Sequence, residues 1–329
     1  MVADPGVTAV AYPNIALIKY WGKRDEHQAI PWADSLSITL DVFPTTTTVC
    51  LDSAAEADRV TFGGTPARGA ASRRVAAFLD LVRKHAGRSE SAVVSTRNAG
   101  PTGAGLASSA SGFAALARAA VAAYGLELDA ADLSRLARRG SGSAARSIFG
   151  GFALWHAGED DHSSYAERVD VEFDPAVVIA LVDGAPKRIS SRAAMRRTVE
   201  TSPLYRSWIE SSRADLAEMT EALARNDLAV VGEIAERNAL GMHATMLAAR
   251  PAVRYLTAPT LGVLDSVAVL RSENVPAYAT MDAGPNVKVL CRPGDADQVA
   301  LRMRETVPCC STVIARRGPG VTLRIEEER

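Results

Sequence analysis

The densest chemical signal in the chain is residues 101–112, Pro-Thr-Gly-Ala-Gly-Leu-Ala-Ser-Ser-Ala-Ser-Gly, which run into an apolar, alanine-rich segment at 113–124. This reads as a loop feeding a helix. Free backbone N–H groups at a helix start, together with the positive end of the helix dipole, bind anions. Glycines let the backbone close on a phosphate, and serines add hydroxyl donors or a metal ligand. No Gly-Lys-Ser/Thr follows, so the loop is not a Walker A motif and predicts nucleotide phosphate binding of another kind. Taken alone, it also fits a flexible turn before a buried helix.

Other clusters keep it company. Lys19, Tyr20, Trp21, Lys23 and Arg24 follow the apolar run 15–18. A lysine at the end of a buried segment can project into a pocket and stabilise charge on a transferring phosphate or a carboxylate. The alternative is a solvated turn with Trp21 in the core. Residues 140–147, Gly-Ser-Gly-Ser-Ala-Ala-Arg-Ser, set hydroxyls beside Arg146, whose planar fork can grip a carboxylate or phosphate. Here the alternative is a helix cap with a surface arginine. Asp282 stands between an apolar strand-like run and a Gly284-Pro285 turn, held rigidly as a catalytic carboxylate must be, or bonding its own backbone. Residues 187–192, Lys-Arg-Ile-Ser-Ser-Arg, form either another anion site or a charged linker. His243, between Met242 and Met246, reads as a core histidine. No G-x-S-x-G elbow or Cys/His cluster occurs, so any metal would be Mg²⁺ held mainly by nucleotide phosphates.

The elements that must position these groups follow from pattern. Strands are expected at 7–12, 60–62, 92–96, 152–156 and 177–182, with 36–42 and 45–51 as a pair. Helices are expected at 74–85, where Val75, Phe78, Leu79 and Val82 recur at helical spacing, and at 132–139. After Asp183-Gly184 helices dominate, at 193–200, 205–225, 228–247 and 260–274. A strand pair at 276–281 and 287–291, a helix at 296–305 and strands at 312–315 and 321–325 close the chain. This is a mixed α+β chain in two parts, 1–183 and 184–329.

With 329 residues, 47% apolar and 23% charged, the chain can build two cored domains. A net charge of −1 excludes a global basic field for nucleic acid or membrane, so anionic ligands must be held by local cations. Cys50, Cys291, Cys309 and Cys310 show neither metal-ligand spacing nor a disulfide framework, which fits a reducing cytoplasm. The first residues do not read as a signal peptide, and no run reaches the ~18 apolar residues of a membrane span.

The blocks PNIALIKYWGKRD, PTGAGLASSASGFAAL, RRGSGSAARSIFGGFALW, KRISSRAAMRRTVETSPLY and MDAGPNVKVL, in this order and spacing, resemble the diphosphomevalonate decarboxylases of the GHMP kinase superfamily across nearly the whole chain. The resemblance implies a two-lobed GHMP kinase fold: an N-terminal α+β ATP-binding domain and a C-terminal ferredoxin-like α/β-sandwich domain, with the active site in the cleft between them. It implies ATP-dependent decarboxylation of mevalonate 5-diphosphate to isopentenyl diphosphate, with ATP as co-substrate, Mg²⁺ and a cytoplasmic homodimer. A relative that only phosphorylates the tertiary hydroxyl, or uses the monophosphate, is the runner-up. A non-catalytic relative would be expected to lose the acid or the lysine, and this chain has both.

By residue match, Asp282 would orient or deprotonate the tertiary hydroxyl, Lys19 would neutralise charge around it, and Arg146 would bind the substrate carboxylate. Tyr20, Lys23, Arg74, Ser141 and Ser143 would hold the diphosphate, and Ser191 would line the pocket. Asn98, Pro101, Gly103, Gly105, Leu106, Ala107, Ser108, Ser109 and Ser111 would cradle ATP, with Ser108 near Mg²⁺. The chain departs from the family pattern at Ala33-Asp34-Ser35, where an acid enters a usually neutral trio, at Ala145, and at Arg192-Ala193-Ala194.

Overall fold

The computed structural model describes residues 6–100, 108–182 and 188–324. In chain order the first half forms β1 (Val7–Ala11), β2 (Asn14–Ile18), β3 (Lys23–Asp25), β4 (Ile30–Pro31), β5 (Ser35–Thr39), β6 (Thr45–Asp52), β7 (Arg59–Phe62) and β8 (Thr65–Pro66). There follow α1 (Ala70–Ala86), β9 (Ser91–Asn98), α2 (Ser108–Ala123), α3 (Ala130–Gly140), a 3-10 helix (Gly142–Ile148), β10 (Phe152–Trp155) and β11 (Ala166–Val169). The second half forms β12 (Ala176–Leu181), α4 (Ser191–Thr201), α5 (Tyr205–Ala224), α6 (Leu228–Leu247) and α7 (Ala258–Ser272). It ends with β13 (Ala277–Met281), β14 (Val287–Cys291), α8 (Ala296–Thr306), β15 (Ser311–Ala315) and β16 (Thr322–Arg324).

The first sheet has the order β16-β1-β6-β9-β7-β8. Its β7 and β9 run parallel, which demands a crossover, and α1 supplies it. The face of α1 carrying Val75, Phe78, Leu79 and Val82 is buried. Beside that sheet lies α2, whose Ala114, Ala115, Ala117, Ala119 and Ala120 are wholly buried. A helix apolar on every side belongs inside, and alanine lets β1, β6 and α3 approach it closely while favouring the helix itself.

The second sheet, β11-β10-β5-β2, contains two strands with every residue buried, β2 and β5. β2 carries the apolar run 15–18, while β5 alternates Leu36 and Ile38 with the buried hydroxyls of Ser35, Ser37 and Thr39. Ile15, Leu17, Ile38 and Phe152 of this sheet share one core with Ile179 of β12, Ile234 of α6 and Leu290 of β14. The two halves are thus welded behind the cleft. The third sheet, β13-β14-β12-β15, sends Val178 and Ala180 of β12 toward Val263 of α7 and Val299 of α8, while Val177 and Ile179 enter the shared core.

One expectation changes. The segments 36–42 and 45–51 form strands but do not pair: β5 joins β2 and β10, whereas β6 joins β1 and β9. Between them Phe43 is left-handed (φ 57°) and Pro44 has no N–H, so the ladder cannot continue and the chain changes sheets. β12 already belongs to the third sheet, and the last strand, β16, returns to pair with β1. Leu40 bridges Arg317 on that return path.

Candidate active site

A cavity of about 420 Å³ opens between the halves, with Lys19, Arg146 and Asp282 in its wall. Strand β2 ends one residue before Lys19, so an entirely buried strand delivers a lysine to the wall. Asn238 of α6 anchors its backbone, Lys19 N donating to Asn238 Oδ1 at 2.9 Å. The ammonium donates to Ala16 O at 2.7 Å and to Asp282 Oδ1 at 2.9 Å.

Asp282 follows β13 directly and opens the turn into β14. Gly284 N donates to Asp282 O at 2.7 Å, and Asn286 Oδ1 pins the turn by accepting from Val182 N at 2.7 Å. The other carboxylate oxygen accepts from Lys288 Nζ at 3.0 Å. Both lysine side chains are 1% exposed while the Asp282 side chain is 25% exposed, so the carboxylate faces the cavity and its cations lie behind it. Burial alone would raise the Asp282 pKa. The charges and hydrogen bonds of Lys19 and Lys288 overcome this and hold it well below the usual carboxylate range. Burial lowers Lys19 to about 8, with Asp282 pulling against that fall.

Arg146 leaves the 3-10 helix into the core, bonding Ser35 Oγ and, at 3.4 Å, Asn14 Oδ1. Its guanidinium stands 5.7 Å from the Trp155 ring. Burial brings its pKa to about 10, so it remains cationic at neutral pH. Asn14 in turn donates to Ser143 O and Ser147 Oγ, which locks β2 to the 3-10 helix. Gly142 is required here: a Cβ would lie 2.7 Å from the Tyr20 hydroxyl and 2.9 Å from Trp155. At Gly140 a Cβ would strike the Phe113 ring.

The rest of the cavity is built for anions. Tyr20, Lys23, Arg74, Ser141, Ser143 and Ser191, the residues the resemblance assigns to substrate, all line it. Arg74 is fixed by two bonds to Gly140 O, at 3.0 and 2.6 Å, and lies over Phe113. Lys23 pairs with Glu26, a cavity acid the sequence reading missed. Ser190 caps α4, and Ser191 and Arg192 in its first turn present that helix start to the cavity. Ser141 Oγ lies 3.2 Å from Ser109 Oγ, which ties the phosphate-loop side of α2 to the same chamber.

Some expected residues fall elsewhere. Ser111 is fully buried and bonded to Thr45 Oγ1 at 2.7 Å, so it fastens α2 to β6 and is not in the cavity wall. Asn98 Oδ1 accepts from Gly100 N at 2.7 Å and shapes the turn before the loop. Pro101, Gly103, Gly105, Leu106 and Ala107 lie outside the described residues. Ser108 opens α2. Asp34 bonds the backbone of Ala157 at 2.7 Å and does not line the cavity. His243 is a core residue whose pKa burial lowers to about 4, so it is neutral beside Asp282. Among the described residues no group of three His, Cys, Asp or Glu could hold a metal, and none of their helices is long and apolar enough to cross a membrane.

This arrangement can bind a polyanion, hold one carboxylate ionised beside it, and present a lysine to a transferring phosphoryl group. Comparison with known proteins agrees. A family model described as the diphosphomevalonate decarboxylase-like N-terminal domain matches residues 11–166, and the mevalonate 5-diphosphate decarboxylase C-terminal domain matches 177–321. Diphosphomevalonate decarboxylase of Ganoderma lucidum is 38% identical over 308 residues, spanning 86% of this chain and 77% of that one. The structure of mevalonate diphosphate decarboxylase from Enterococcus faecalis, solved for mevalonate diphosphate mediated ATP binding, superposes with a TM-score of 0.91 at 44% identity, covering 97% and 98% of the two chains. A complex of MDDEF with MVAPP, AMPPCP and magnesium gives 0.92 at 44% identity and the same coverage. The fold is that of the GHMP kinases. Within that class, the chain belongs to the diphosphomevalonate decarboxylase family.

Proposed function

We propose that this chain converts mevalonate 5-diphosphate and ATP to isopentenyl diphosphate, ADP, phosphate and carbon dioxide. The observation that carries the reading is Asp282, open to the cavity and held between Lys19 and Lys288, with buried Arg146 in the same wall. Carbon dioxide cannot leave a saturated 3-hydroxy acid directly, because no carbonyl accepts the electrons. Phosphorylation of the tertiary hydroxyl supplies a leaving group. The hydroxyl oxygen bonds to the γ-phosphorus, the bond to ADP breaks, and the hydroxyl proton is lost. The C–O bond to phosphate then breaks, and the electrons of the C–CO₂⁻ bond form the alkene.

Asp282, kept strongly acidic by its lysines, is a poor proton acceptor. Its role in this reading is to accept a hydrogen bond from the hydroxyl, aim it, and place negative charge next to the carbon that becomes cationic. Of the two roles the family resemblance implies, orientation is therefore favoured over deprotonation. A loose phosphoryl-transfer transition state needs little help from a base. Lys19 offsets charge on the transferring group, and Arg146 orients the substrate carboxylate by its fork. Lys23, Arg74, Arg192, Ser141, Ser143 and Tyr20 bind the diphosphate, and the first turn of α4 adds its N–H groups. Residues 101–109 bind ATP. The exposed Ser109 at the start of α2 offers a hydroxyl oxygen suited to a hard cation rather than a carboxylate cage, and the family resemblance puts Ser108 near that cation. Mg²⁺ there neutralises phosphate charge. We read the chain as a cytoplasmic homodimer on family resemblance, and sedimentation at the mass of a dimer tests the assembly.

Steady-state assays with mevalonate 5-diphosphate and its 5-monophosphate, with products identified by mass spectrometry, test the function. Isopentenyl diphosphate from the diphosphate, at a kcat/KM at least about tenfold above the monophosphate, is expected from the number of cations around the tail. A 3-phosphorylated acid as end product, or preference for the monophosphate, would favour the runner-up.

A further inference from the structure

Lys288 has no part in the reading above except as a neighbour, yet it is an expensive residue. It is the second residue of β14, an interior strand with every residue buried. An unpaired ammonium in such a place would cost several kcal/mol, and an apolar residue of similar volume is often as good or better for stability. Side chains alternate along the strand. Val287, Val289 and Cys291 join the core beneath α7 and α8, while Leu290 joins the core shared with β2 and α6. Lys288 therefore emerges on the same side as Leu290, toward the end of β2 where Lys19 stands. In the ladder it is opposite Thr280 of β13, two residues before Asp282.

The two carboxylate oxygens are divided between the two lysines, with Oδ1 on Lys19 and Oδ2 on Lys288. The lysines differ in what else they reach. Lys19 lines the cavity and also bonds Ala16 O, so it is within reach of substrate, whereas Lys288 does not line the cavity. We propose that Lys288 is a positioning residue for catalysis: it keeps Oδ2 of Asp282 clamped, so the carboxylate holds its place and its charge when Lys19 turns toward the transferring phosphoryl group. With Lys19 alone, each turn of that lysine toward substrate would leave Asp282 without its cation. With both lysines, the carboxylate faces the developing positive charge on the substrate carbon throughout the reaction.

The other groups around Asp282 do not replace this function. Arg146 reaches it only through space and is bonded to Ser35 and Asn14. His243 of α6 is neutral, because burial lowers its pKa to about 4. Lys19 is the cation that must move.

The inference rests on the decarboxylase reading, and two measurements keep their failures apart. The first uses the ligand-free protein: NMR titration of ¹³C-labelled aspartate, with the Asp282 signal assigned by its loss in Asp282→Asn. The parent should keep Asp282 ionised to the lowest pH at which it stays folded, and Lys288→Met should begin to protonate it at a higher pH, whatever the reaction proves to be. The second is steady-state kinetics with mevalonate 5-diphosphate and ATP between pH 5 and 9. Lys288→Met should lower kcat by about 10- to 100-fold and leave both KM values within about threefold. Lys288→Arg, which keeps the charge and serves if the Met variant does not fold, should recover much of kcat. Normal kcat in Lys288→Met would overturn the proposal. So would an equal loss of kcat in Lys288→Arg and Lys288→Met, or a loss that appears in KM rather than kcat, the signature of a purely structural lysine.

Discussion

Replacing Asp282 by asparagine removes the negative charge lying 2.9 Å from Lys19 Nζ and 3.0 Å from Lys288 Nζ. At an effective dielectric of about 20, a unit pair at about 3 Å is worth on the order of 5 kcal/mol. Burial has already lowered Lys19 to about 8 from an ordinary 10.5, and Asp282 is what keeps it that high. Without the carboxylate, Lys19 falls well below neutral pH and sheds its proton. That escape bounds the damage through this group. A lysine whose native pKa lies below its unfolded value binds fewer protons when folded, so stability rises with pH between the two. In the parent this window opens near pH 8, and in the variant it extends far lower. The Lys19 part of the deficit is then on the order of 3 kcal/mol at pH 6, on the order of 1 at pH 7 and close to zero above pH 9. Urea unfolding of parent and Asp282→Asn at these pH values should show the gap closing as pH rises. Turnover should fall on the order of 10³-fold or more, because the oriented carboxylate and the Lys19 charge are lost together. A gap that stays constant with pH, or turnover near the parental rate, would refute the reasoning.

Arg146→Lys and Arg146→Gln should each lower kcat/KM by about 10²-fold or more, since neither reproduces the planar fork held by Ser35 and Asn14; variants behaving like the parent would remove Arg146 from the substrate site. The kcat/KM profile should fall as pH rises through about 8, where free Lys19 loses its charge, and the kcat limb should lie higher because bound anions favour the ammonium; no alkaline limb up to pH 9.5 would contradict the role of Lys19. Asp34→Ser should leave substrate affinity and its salt dependence unchanged while costing about 1 kcal/mol of stability, because the carboxylate bonds Ala157 N rather than facing the diphosphate.

Residue type and spacing marked Lys19, Arg146 and Asp282 as candidates but left a solvated turn, a surface arginine and a turn aspartate equally open, and it is the cavity wall that brings the three together. Lys288 was not marked. In Val-Lys-Val-Leu-Cys a lysine reads as the wet face of a half-exposed strand, and only sheet order shows that β14 is interior and covered on both sides. Ser111 and Ser109 are the same residue type two positions apart at the start of one helix, yet one bonds Thr45 in the core and the other reaches the cavity. Helical phase separates them, and composition does not. The pairing of 36–42 with 45–51 failed because both strands have the right residues, while the left-handed Phe43 and Pro44 between them divert the chain to another sheet. Glu26 escaped notice since an acid next to Lys23 resembles an ordinary surface pair.

The most direct test of the account is to follow ADP and carbon dioxide together in one reaction of the purified protein with ATP, Mg²⁺ and mevalonate 5-diphosphate labelled at the carboxyl carbon. The site described here predicts one carbon dioxide for each ADP from the first turnovers onward. ADP formed without labelled carbon dioxide would contradict it.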